Sequence, residues 1–72
     1  MNDRHRRTLG TVDRIAESGT IFVHEMTTGK LGYIANNTPV MVGGPVRPGM
    51  RLNLVVEDRG DVMVVESAEA AG

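Results

Sequence analysis

The chain has 72 residues, no cysteine, one phenylalanine, one tyrosine and a formal net charge of −1. A chain near 60 residues buries only about 60% of its unfolded surface, so this length supports one domain with a thin core. The absence of cysteine excludes disulfides and thiolate metal sites and fits a reducing compartment, while the near-neutral charge excludes bulk attraction to phosphates.

The two histidines, His5 and His24, complete a tetrahedral metal site only if two carboxylates converge from distant positions. No metal and no other cofactor is expected. No apolar run approaches the ~18 residues of a membrane span, and the opening MNDRHRR lacks an apolar signal segment. The expectation is a cytoplasmic protein without membrane attachment.

Residues 1–7 have almost no apolar content and read as a flexible basic arm carrying Arg4, Arg6 and Arg7. A single β-barrel domain is expected over 8–66, because no window there sustains helical periodicity. Thr11, Val12 and Ile15 mark a first strand over 8–16, with Gly10 at a bulge or a close approach. A turn at 17–19 leads to a second strand over 20–26, and a third follows at 31–35. Residues 36–49 hold three prolines and three glycines. They read as a loop with a short edge segment at Val40 to Val42.

Arg47-Pro48-Gly49-Met50 has the proline and glycine of a type II turn. It opens the most regular strand, 50–57, in which Met50, Leu52, Leu54 and Val56 alternate with Arg51, Asn53, Val55 and Glu57. Asp58-Arg59-Gly60-Asp61 reads as a hairpin turn and 62–66 as the last strand. The remainder, 67–72, is expected to be a flexible tail too short for a stable helix. Five strands in so short a chain avoid two unpaired edges by closing. The expected fold is all-β: a five-stranded oligonucleotide/oligosaccharide-binding (OB-fold-like) closed barrel, with a Gly/Pro-rich loop between strands three and four.

Gly10-Thr11-Val12, a following hairpin, and Pro48-Gly49-Met50-Arg51-Leu52 opening strand four resemble the cold-shock and translation-initiation-factor-1 branch of OB-folds. Ile21-Phe22-Val23-His24 resembles the V-F-V-H nucleic-acid motif of cold-shock domains, and Lys30-Leu31-Gly32-Tyr33-Ile34 resembles their K-G-F-G-F-I motif. That resemblance implies single-strand binding on the aromatic face. Gly29-Lys30-Leu31-Gly32-Tyr33-Ile34 is also similar to the distal hairpin of bacterial Src-homology-3-like domains, a second reading of the fold.

A two-residue turn at Thr28-Gly29 would pair Met26 with Leu31, His24 with Tyr33 and Phe22 with Ala35. Opposed residues share a face. Phe22, His24, Met26, Leu31, Tyr33 and Ala35 then lie on one side, and Ile21, Val23, Glu25, Gly32 and Ile34 on the other. Branched side chains suit a narrow interior, so Ile21, Val23 and Ile34 are expected inside with Leu52, Leu54 and Val56. A slip of one residue would reverse this and put both rings in the core, where a phenylalanine contributes about 1.5–3 kcal/mol.

With the rings outside, bases can stack on Phe22 and Tyr33 at about 1–3 kcal/mol each, with His24 beside them. Lys30, Arg14 and the arm's Arg4, Arg6 and Arg7 would meet phosphates. The expected function is weak, low-specificity binding of single-stranded RNA, or less favourably DNA. The alternative is a non-enzymatic protein-interaction or self-assembling barrel. It would use Met26 and Leu31 on the same face and Val40, Met41 and Val42 in the loop. For each charge and for His24 the plain reading is a solvated surface group.

Catalysis is not expected. Ser18 and Ser67 lack a nearby histidine in sequence, Asp58 and Asp61 flank a turn, and Gly43-Gly44 precede proline rather than opening a helix.

Overall fold

The computed structural model describes residues 5–71, which form six strands and no helix. They are β1 (His5–Ile15), β2 (Ile21–Glu25), β3 (Leu31–Ile34), β4 (Val40–Met41), β5 (Arg51–Arg59) and β6 (Val62–Ala70). The pairing order is β3–β2–β1–β5–β6, and a parallel β3–β6 contact closes these five into a barrel. The sixth, β4, lies parallel to the far end of β6. The all-β closed barrel expected from the sequence is therefore present, with one short strand inside the Gly/Pro-rich loop.

Alternation builds the interior. Val12, Val23, Ile34, Leu52, Leu54, Val56, Met63, Val65 and Ala68 form the buried core, and Ile21 packs against it from a half-buried position. At Arg47-Pro48-Gly49-Met50 the Met50 amide donates to the Arg47 carbonyl at 3.1 Å and Gly49 has φ +90°, as a type II turn requires. The β5–β6 hairpin has positive φ only at Gly60, the first of its two turn residues, which is the type II′ arrangement.

Gly10 marks a close approach rather than a bulge. A Cβ there would lie 2.6 Å from Leu54 Cδ1 and 3.2 Å from the His24 carbonyl oxygen. The bulges fall elsewhere. Asp13 is the extra residue where β1 passes β2, and Glu66 is the extra residue where β6 passes β5. Each turns a charged side chain outward beside its neighbour.

Parts of the expected arm and tail hold strand positions. His5, Arg6 and Arg7 pair with Glu57, Val56 and Val55, so they belong to β1 and not to an arm. Residues 67–70 continue β6 against β5. A polar segment holds a strand position when the ladder satisfies its backbone and one face meets water. Arg4 lies outside the described residues.

Candidate functional site

The β2–β3 hairpin carries the two aromatic rings, and its register sets the site. Val23 pairs with Gly32, Phe22 with Tyr33, and His24 with Leu31. The turn is four residues long, from Met26 to Gly29. The Gly29 amide donates to the Glu25 carbonyl at 2.8 Å, and Gly29 adopts φ +74°. The two-residue turn at Thr28-Gly29 is therefore corrected: the longer loop displaces every partner on β3 by two. A slip of two preserves the faces, whereas a slip of one would exchange them. Val23, Glu25, Gly32 and Ile34 are buried, and Phe22, His24, Leu31 and Tyr33 face out.

The parallel closure extends this outer face. Leu31 sits beside Val62 and Tyr33 beside Val64, so Phe22, Leu31, Tyr33, Val62 and Val64 make one half-exposed apolar stripe across β2, β3 and β6. Both edges of the stripe are charged. On the β1 side the Arg14 guanidinium lies 4.3 Å from the centroid of the Phe22 ring, a cation–π contact of about 0.5–1 kcal/mol at an exposed position. His24 Nδ1 stands 3.9 Å from the Asp13 carboxylate. On the β5 side Glu57 and Arg59 neighbour Val64 and Val62 and pair with each other at 3.1 Å.

Two of the cations expected at this face are committed elsewhere. Arg6 points into one end of the barrel, where its Nη1 donates to Glu25 Oε2 at 2.5 Å and its Nε to Asp58 Oδ2 at 2.6 Å. Lys30 Nζ donates to Asp58 Oδ1 at 2.8 Å. Thr8 and Thr28 donate their hydroxyls to Glu25, which is 3% exposed. Hydrogen bonds from Arg6, then Thr28 and Thr8, hold the Glu25 pKa down at about 2 against the opposing effect of burial. Hydrogen bonds from Arg6 and Lys30 pull Asp58 well below the usual carboxylate range, and those to Asp58 and Glu25 raise Arg6. Arg6 and Lys30 close the barrel end and do not face a phosphate backbone. Asp58 belongs to β5 and anchors them, so its role is more than turn geometry.

The remaining candidates are dispersed. Arg7 lines a groove of about 590 Å³ on the outer face of β1, β5 and β6, together with Asn53, Val55, Ser67, Glu69 and Met41. Val40 and Val42 do not form a free patch, since both pack against the core from half-buried positions. Met41 between them is 71% exposed and Met26, at the hairpin tip, 47%. Among the sequence candidates the structure thus brings together Arg14, Phe22, His24, Leu31 and Tyr33.

Alternation along the last strand contained a signal for Val62 and Val64, which face out opposite to the buried Met63 and Val65. Their place beside β3 needed the parallel closure, which no local pattern encodes. The Glu25 network was also within reach, because a carboxylate on the core face of a hairpin demands cationic or hydroxyl partners.

No family model and no curated protein matches the chain. Among solved structures the chain is similar to a tryptophan-to-alanine variant of CusF from Escherichia coli with Cu(II). The TM-score is 0.66 at 14% identity, covering 100% of this chain and 98% of that one. It is also similar to CusF with Ag(I), at TM-score 0.65 and 14% identity, covering 96% of this chain and 100% of that one. At this identity the likeness establishes the barrel fold and nothing finer. It supports the small closed-barrel class but not the cold-shock and translation-initiation-factor-1 branch.

Proposed function

We propose that the chain is a non-enzymatic docking barrel that binds a protein partner through the outer face of β2, β3 and β6. The observation that carries this reading is the continuous stripe Phe22, Leu31, Tyr33, Val62 and Val64, half-exposed and edged by charges of both signs. An apolar centre with a mixed polar rim is the anatomy of a protein interface. A polyanion would instead meet Asp13 and Glu57 at the two edges, without help from Arg6 or Lys30.

A photo-crosslinking residue at Tyr33, introduced in the host cell, tests the reading. A discrete protein adduct is expected, lost when Leu31→Glu or Val64→Glu is added and absent when the crosslinker stands at exposed Gly43. An adduct of twice the chain mass would identify the partner as a second copy. Equal adducts from Tyr33 and Gly43 would overturn the docking face.

Single-strand binding keeps one specific observation in its favour. The Arg14 guanidinium lies over the Phe22 ring and Tyr33 is paired beside Phe22, on the face that OB-folds use for ligands. With two rings and one adjacent guanidinium the expected affinity is weak and salt-sensitive. Anisotropy titration of labelled oligonucleotides at low salt checks it. Binding unchanged by Phe22→Ala and Tyr33→Ala would remove this reading.

A further inference from the structure

We propose that His5, Glu57 and Glu66 form a site for a divalent transition cation of the Zn(II) type on the outer surface of β1, β5 and β6. Three strands contribute one ligand atom each, and these atoms all lie within 4.8 Å of one another. His5 stands directly opposite Glu57 in the β1–β5 ladder. Glu66 arrives by a different route. It is the extra residue of the β6 bulge, which places Glu66 and Ser67 in succession on the outer side and brings Glu66 Oε2 to 3.4 Å from His5 Nε2. Bulges re-aim side chains in this way and are frequent next to functional sites.

The donor set suits the metal. One imidazole and two carboxylates are borderline-to-hard ligands of the kind that hold Zn(II), with the fourth position left to water or a further ligand. Bonds near 2.0–2.2 Å in a tetrahedron set adjacent ligand atoms about 3.3 Å apart. The His5–Glu66 separation of 3.4 Å already matches that edge, and the Glu57 oxygen, within 4.8 Å of both, has to close the remainder. Arg59 donates to Glu57 Oε1 at 3.1 Å and competes for one carboxylate oxygen. His5 and Glu66 side chains are about half exposed, at 54% and 42%, so the ion can reach them without opening the barrel. The two-histidine, two-carboxylate site considered from the sequence does not form, since His24 lies elsewhere; two distant carboxylates converge on His5 alone and make a three-ligand set.

Isothermal titration of the folded chain with zinc chloride tests the assignment, and it does not depend on the docking reading. One equivalent is expected to bind with a dissociation constant in the micromolar range. His5→Gln and Glu66→Gln are each expected to weaken it at least tenfold, as loss of one of three ligands should. His24→Gln, far from the cluster and paired with Asp13, should leave it unchanged, and circular dichroism verifies that each variant keeps the fold. Arg59→Ala, which removes the guanidinium that competes for Glu57 Oε1, is expected to tighten binding severalfold. No zinc binding up to millimolar metal, or equal affinity in wild type, His5→Gln and Glu66→Gln, would overturn the proposal.

Discussion

Replacing Glu25 by glutamine is expected to lower the unfolding free energy by about 3 kcal/mol at neutral pH. Glutamine nearly preserves the shape but removes the charge and one strong acceptor, and it can turn an NH2 group toward Arg6. Arg6 keeps Asp58 and partial access to water, which places the loss near the low end for a broken buried pair. A domain of this size has roughly 4–11 kcal/mol of total stability, so the melting temperature should fall by more than about 10 °C.

Acid titration provides a second readout of the same group. The Glu25 pKa is about 2 in the folded chain against an ordinary value of 4.5, so between those values the unfolded chain binds the proton and the folded chain does not. Stability from this group is complete above pH 4.5 and is lost as the pH falls toward 2, by about 3 kcal/mol in all. Chemical denaturation across that window should show Glu25→Gln losing stability less steeply than the wild type, the share due to Asp58 remaining in both. A variant with a wild-type melting temperature and an unchanged pH slope would mean that the network contributes nothing.

The part of the fold that was legible in the sequence rested on local rules. Alternation in Leu52, Leu54 and Val56 fixed the core face of β5, and proline with glycine at Pro48-Gly49 fixed its entry. The faces of the β2–β3 hairpin were also legible, because an error of two residues in register leaves them unchanged. What stayed hidden was non-local. Nothing within β6 specifies that it runs parallel beside β3, and that pairing is what completes the apolar stripe with Val62 and Val64. The bulge at Glu66 was hidden for the same reason, since it exists only relative to β5. Arg6 illustrates a different failure. Its neighbours are polar, and composition alone assigned it to an arm, whereas its partners Glu25 and Asp58 lie 19 and 52 residues away in sequence.

Gly10 carries the other large expected effect. β1 pairs with both β2 and β5 at this residue, and its missing side chain is filled by Leu54. Gly10→Ala would set a methyl 2.6 Å from Leu54 Cδ1, in a core where Leu54 is 1% exposed and has little room to rotate. Overpacking of this kind costs about 1–3 kcal/mol, more than the roughly 0.4–1 kcal/mol an alanine returns by restricting the unfolded chain. Leu54→Ala alone should cost about 2–5 kcal/mol by opening a cavity. Combined, the two changes relieve one another, because the new methyl enters the space the leucine vacates. The double variant is expected to be more stable than the sum of the singles predicts, by about 0.5–3 kcal/mol. Rescue should stay incomplete, since the His24 carbonyl oxygen remains 3.2 Å from the added methyl and moves only if β2 moves with it. Urea denaturation of the four proteins measures the coupling. Strict additivity would mean that β1 shifts to accommodate the methyl, so that Leu54 is not what requires glycine at position 10.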